Sequence, residues 1–185
     1  MYVKTQGYAP DTSPETLGIF TDCNGFVPSI KGMKAIKAGA DAGFASLTAS
    51  CVGMFSTLQL DETRITFAGT TTELFKTATS TWTNLSRASG GAYAVPAGQY
   101  WTFAQYGNIT LAANRADVVQ AGTGGAFANL TQTVKAKIIE VVNDFVFLFN
   151  TVDADYGTSQ DRWRCSALGD HTNYTPNIAT QAATN

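Results

Sequence analysis

The chain has 185 residues, enough for one domain and a small arm, with 12 Lys and Arg against 14 Asp and Glu and a net charge of -2. That balance argues against a sequence-specific DNA reader or a polybasic membrane binder, since both need a basic face. Charged residues are 14% of the chain, Thr, Ala and Gly number 26, 26 and 17, and 44% of residues are hydrophobic; this suits short strands, tight turns or a surface covered by partners, and does not fit a disordered chain.

Residues 1–40 carry Pro10, Pro14 and Pro28, with Gly at 7, 18, 25, 32 and 39. Proline removes a ladder donor and glycine raises the entropy cost of order, so long regular elements are disfavoured. We expect an extended N-terminal arm that lies on something else, the alternative being a disordered terminus. The basic piece with Lys31, Lys34 and Lys37 reads as a turn of helix or as extended chain. Met1-Tyr2-Val3-Lys4-Thr5-Gln6 has no apolar core of a signal peptide. No apolar run reaches the ~20 residues of a membrane span.

From about residue 45 to 170 the pattern becomes β. Strands are predicted over 52–60 and 64–68, separated by a turn at Asp61-Glu62, and then over 72–76 and 82–86. A second round follows at 100–105, with a Gly107-Asn108 hairpin, a return at 109–112 and a strand at 127–131. The third comprises 137–142, a turn at Asn143-Asp144, 145–149 and 162–166. Trp82-Thr83-Asn84-Leu85-Ser86 and Phe127-Ala128-Asn129-Leu130-Thr131 share an aromatic, a small residue, Asn-Leu and a hydroxyl. Phe67-Ala68 and Phe103-Ala104 recur 36 residues apart, and Val141 follows 38 later. Several strands per period of about 40 residues predict repeated short antiparallel four-stranded blades, β-propeller-like; a β-sandwich or barrel is the competing all-β reading. Three blades do not close the usual ring of roughly 4–8. The expectation is therefore an incomplete propeller, with residues 171–185 a polar tail and the chain an N-terminal portion of something longer.

The chemistry-bearing residues are sparse. His171 beside Asp170 would need a nucleophile, and Cys165-Ser166-Ala167 lacks the elbow that would mark Ser166. Gly122-Thr123-Gly124-Gly125 lacks the Lys-Ser/Thr of a phosphate loop and reads as a flexible turn. Asp153 and Asp155 before Gly157 resemble the start of a calcium loop, but a third ligand before the glycine is missing and Arg164 takes the place of the bidentate Glu; turn-forming Asp residues explain the stretch. Acids such as Asp61, Glu62, Asp117 and Asp144 sit at turns and suggest no glycosidase pair. Asn84, Asn108, Asn129 and Asn173 head Asn-x-Ser/Thr triplets that such a Thr-rich chain contains by chance. Cys23, Cys51 and Cys165 read as structural thiols. Trp82, Trp101 and Trp163 read as blade core or as exposed stacking platforms. No catalytic, cofactor or metal site is expected.

Several motifs read together as a resemblance: Val27-Pro28-Ser29-Ile30-Lys31-Gly32-Met33, Phe67-Ala68-Gly69-Thr70, Trp101-Thr102-Phe103-Ala104-Gln105-Tyr106-Gly107 and Gly125-Ala126-Phe127-Ala128. The most specific runs from Tyr156 through Arg162-Trp163-Arg164-Cys165 to Asp170. From about residue 25 to 185 the chain resembles the N-terminal part of tail hub or nozzle proteins of short-tailed bacteriophages, similar to the packaged-DNA stabilisation proteins. The resemblance implies a structural virion protein, made in the host bacterial cytoplasm, with no enzyme activity. It implies a homo-oligomeric ring, a hexamer, below the portal and adaptor, through which DNA passes non-specifically and which carries tail fibres or spikes. A receptor- or glycan-binding tail module is the alternative, and a propeller hydrolase a third.

Overall fold

Alternating apolar and hydroxyl side chains with glycine-rich turns leave the chain one kind of regular element, and every such element among the described residues is a β-strand. The computed structural model describes Tyr2, Val3, Gly7, Tyr8, Asp11, Ser13, Ile19, Phe20 and residues 25–29, 32–36 and 43–185. Cys23, Ile30, Lys31 and Lys37, on which expectations were placed above, lie outside the described residues. The chain divides into two units, residues 1–42 and 43–185.

The first unit contains β1 (Tyr2–Val3), β2 (Gly7–Tyr8), β3 (Ile19–Phe20), β4 (Phe26–Ser29) and β5 (Gly32–Ala35). β4 and β5 form a hairpin from Phe26↔Ala35 to Ser29↔Gly32, and β1 pairs antiparallel on β5. β2 and β3 pair in parallel. Gly32–Ala35 is therefore extended, which settles the choice between helix and extended chain for that part of the basic piece.

The second unit is three antiparallel sheets in succession. The first runs in the order β6 (Met54–Leu58), β7 (Arg64–Gly69), β8 (Leu74–Ala78), β9 (Thr81–Asn84). The second runs β10 (Thr102–Tyr106), β11 (Ile109–Ala113), β12 (Gln120–Gly122), β13 (Ala128–Asn129). The third is built on β14 (Lys135–Val142) and β15 (Phe145–Asp153), with the short β16 (Gly157–Thr158) on β15, then β17 (Trp163–Cys165) and β18 (Ala183–Thr184). Asn143 and Asp144, both at positive φ (47° and 64°), make the tight β14–β15 turn, a conformation that Asn and Asp tolerate best after glycine.

Two apolar layers hold the three sheets together. Phe67, Leu74, Leu85, Tyr93, Trp101 and Phe127 fill the layer between the first and second sheets. Leu111, Val119, Leu130, Ile139, Val146, Leu148 and Tyr174 fill the layer between the second and third. The second sheet is thus covered on both faces. The first strands of the sheets adjoin in the order β6, β10, β14.

The two halves of the Asn-Leu repeat occupy equivalent places. Asn84 ends β9 and Asn129 ends β13, each the fourth strand of its sheet. Leu85 N–H donates to the carbonyl of Leu74, and Leu130 N–H to that of Val119, at 2.8 and 2.9 Å. The 36-residue recurrence is different: Phe67 lies on a second strand and Phe103 on a first, so that spacing does not mark equivalent positions. Residues 171–185, read as a polar tail, return to the third sheet. Tyr174 is fully buried in its core, and Ala183 and Thr184 pair with Cys165 and Arg164.

Candidate functional site

The residues nearest to a catalytic pattern are held in structural roles. Ser166 follows β17 and is fully buried; its Oγ accepts the N–H of Val146 at 2.9 Å and donates to the carbonyl of Ala167 at 3.0 Å. Its own N–H donates to the Val146 carbonyl at 2.9 Å. Asp170 Oδ1 accepts both the N–H and the hydroxyl of Thr172, at 2.9 and 2.6 Å. Those two bonds hold its carboxyl below the usual carboxylate range. His171 lies against the Tyr106 ring with centroids 5.5 Å apart. Partial burial lowers its pKa, with the charge of Asp170 opposing. No hydrogen bond among the described residues joins His171 to Ser166, so the three make no relay.

The glycine-rich turn is also spoken for. Lys76 Nζ donates to the Gly124 carbonyl at 2.5 Å, which ties the β12–β13 turn to the first sheet. In the acidic turn, Asp153 Oδ1 accepts the N–H groups of Asp155 and Tyr156 at 3.0 and 2.7 Å. Its Oδ2 lies 3.3 Å from Arg164 Nη1, both side chains being almost fully buried. Arg164 Nη2 donates to the Tyr174 carbonyl at 2.6 Å, and the guanidinium sits 5.1 Å from the centre of the Tyr156 ring. A depression of about 210 Å³ adjoins the pair, lined also by Gln132 and Asp155. Asp153 is thus matched by the chain's own cation and by the turn it caps. Among the described residues no three His, Cys, Asp or Glu converge as a metal site would require.

Sequence reasoning missed a second buried polar cluster. Arg87 Nη2 is 2.8 Å from Asp117 Oδ1, with both side chains close to fully buried. The other Asp117 oxygen accepts the Ala94 N–H at 2.9 Å and the Asn114 amide at 3.0 Å. Arg87 also donates to the carbonyl of Gly91 and to Asn129 Oδ1, and its guanidinium stacks 4.6 Å from the Tyr93 ring centre. Tyr93 donates to Gln120 Oε1 at 3.1 Å, and its burial pushes the phenol pKa up. Every oxygen of Asp117 has a partner, so the cluster joins the end of the first sheet to the second and leaves no group free to react. Asn129 Oδ1 belongs to this network, Asn84 bridges Glu73 and Ser86, and Asn108 accepts the Leu60 N–H.

The tryptophans divide. Trp101 is 3% exposed, and its Nε1–H donates to the Thr70 carbonyl at 2.8 Å. Trp82 is half-buried against Phe44, and Trp163 half-buried against Phe147. Trp163 belongs to an aromatic row on the outer face of the third sheet. On β15, Val146 and Leu148 point into the core, while Phe145, Phe147 and Phe149 line up on the opposite face. Their ring centroids are 6.4 and 6.2 Å apart, and Trp163 lies 6.2 Å from Phe147. Across the register stand Ile138 opposite Phe149 and Val142 opposite Phe145, which are 42% and 48% exposed. The signal was in the sequence: Phe145-Val146-Phe147-Leu148-Phe149 is apolar at both parities, the mark of a strand that expects cover on both faces. This outer face of the third sheet is the candidate functional surface. No family model matches the chain, and no curated protein matches its sequence.

Proposed function

We propose that this chain is a structural subunit of a bacteriophage virion, part of the tail nozzle or hub that forms the DNA channel below the portal and adaptor. In this reading the three sheets are propeller-like blades, stacked face to face with their first strands side by side. The protein acts mechanically. Copies assemble into a ring, retain the genome and carry fibres or spikes on the outside.

The observation that carries the reading is the succession of three short antiparallel sheets, the middle one covered on both faces and the third bare on its outer face. Blades that stack in a row leave apolar end faces that further sheets must cover. The near balance of charge, 12 basic against 14 acidic residues, suits a channel wall along which DNA slides, because few Lys and Arg contacts mean little phosphate binding. A glycan-binding module is less well served, since Trp101 is buried and Trp82 and Trp163 are half-buried in tilted contacts with phenylalanines.

Imaging of purified virions carrying a labelled copy of the chain tests the proposal. The expected result is density for a closed ring of copies on the tail axis. Copies at a fibre tip, or none in the particle, would overturn it.

A further inference from the structure

We infer that the outer face of the third sheet docks a second copy of this chain, which lays the outward face of its own first sheet upon it. This rests on the reading of the chain as a subunit of an assembly, and adds the identity and orientation of the partner.

The two faces are matched. The outer face of the third sheet presents Ile138, Val142, Phe145, Phe147, Phe149 and Trp163, with the exposed Glu140, opposite Phe147, as the charge among them. The face of the first sheet turned away from the second sheet presents Met54 and Leu58, 60% and 55% exposed. Its strands also carry one charge on that face, Arg64, which pairs across the register with Leu58. Glu140 and Arg64 are both exposed and have no salt-bridge partner among the described residues. The opposite signs select the arrangement. If two copies met through the same third-sheet face, two carboxylates would be brought into one apolar contact, which is unfavourable without a cation. Head-to-tail docking instead gives Glu140 the guanidinium of Arg64.

The order of strands within one chain supports the same geometry. β14 lies against β10 and β10 against β6, so placing β6 of a second copy against β14 continues the row through the subunit boundary. Phe44 rests on Trp82, which shares this face but stands on the fourth strand; Met54, Leu58 and Arg64, on the first two strands, stay exposed. A contact between two different faces is heterologous. It closes into a ring or continues as a filament, according to the rotation per copy.

Sedimentation velocity of the purified chain over a range of concentrations tests the inference, with thermal melts to show that each variant is folded. The wild-type chain is expected to self-associate. E140R and R64E should each weaken association at least tenfold, and the double exchange R64E/E140R should restore it to within a few-fold. Leu58→Cys combined with Val142→Cys should give a disulfide joining two chains, identified by peptide mapping. A monomer at all concentrations, association indifferent to the single reversals, or a double exchange no better than the singles would overturn the inference. Association indifferent to the charge exchange leaves the virion proposal standing. A charge-dependent contact in a chain absent from virions leaves the contact and removes the tail assignment.

Discussion

At the scale of single residues, the tightest constraint is the approach of backbone to Trp101. A Cβ on Gly69 would lie 2.2 Å from Trp101 Cδ1, and one on Gly53 would lie 2.7 Å from the Trp101 Cβ. Gly69→Ala should therefore displace a fully packed indole and cost about 1–3 kcal/mol, read as a lowered urea midpoint with an unchanged slope. Tyr174 has the opposite character. Its ring is fully buried, but its hydroxyl has no hydrogen-bond partner, and burial raises its pKa far above the ordinary value. Tyr174→Phe keeps the packing and removes an unsatisfied polar atom, so it should raise stability by about 1 kcal/mol; a loss of that size would show that the hydroxyl is bonded. His171 sets a pH dependence. Burial holds its folded pKa below the ordinary 6.5, so the unfolded chain takes up the proton first. Its contribution is complete above pH 6.5, is lost as pH falls below that value, and levels off under the folded pKa. Asp170, whose pKa is lowered from 3.8, adds its own loss only at more acidic pH. His171→Gln should flatten the change in melting temperature between pH 7 and pH 5; an undiminished slope would assign it elsewhere.

At the scale of elements, the longer strands were legible because alternation or a β-rich run decides them. β7, β10 and β11 fall on segments with apolar residues spaced two apart, and β14 and β15 on β-branched and aromatic runs joined by an Asn-Asp turn. The elements that escaped are those that tertiary pairing creates. β12 is three residues long and carries Gln120, a polar side chain that is fully buried because it bonds Tyr93 and Asn129. β18 is two residues in an Ala- and Thr-rich stretch, and nothing in that composition announces a strand until Arg164 and Cys165 stand beside it. The acidic turn was read correctly as turn chemistry, but its buried partner Arg164 came from 11 residues further on, a distance at which no local pattern speaks. Removal of residues 171–185 tests the weight of this returning segment. It deletes Tyr174 from the second apolar layer and leaves one edge of β17 unpaired. Amide exchange in β15 and β17 should accelerate while β7 and β8 keep their protection; equal acceleration throughout would mean that the three sheets open as one.

At the scale of the whole chain, what the sequence conveyed was the all-β class and its short antiparallel sheets, because β-period and turn residues are properties of the chain itself. What it withheld was which faces stay bare, because that depends on how the sheets stack. The stacking also separates the fates of two thiols. Cys51 is exposed, whereas Cys165 lies in β17 between β15 and the returning β18, and burial pushes its thiol pKa up. A thiol-alkylating reagent should modify Cys51 at once, and Cys165 only as often as the outer strands part from β15. Peptide mapping over time would show the two rates, and equal rates would mean that β18 gives no shelter. Cys165 is thereby an internal clock for the last edge of the sheet stack, and its ticking should slow whenever something settles on that edge and holds the strands closed.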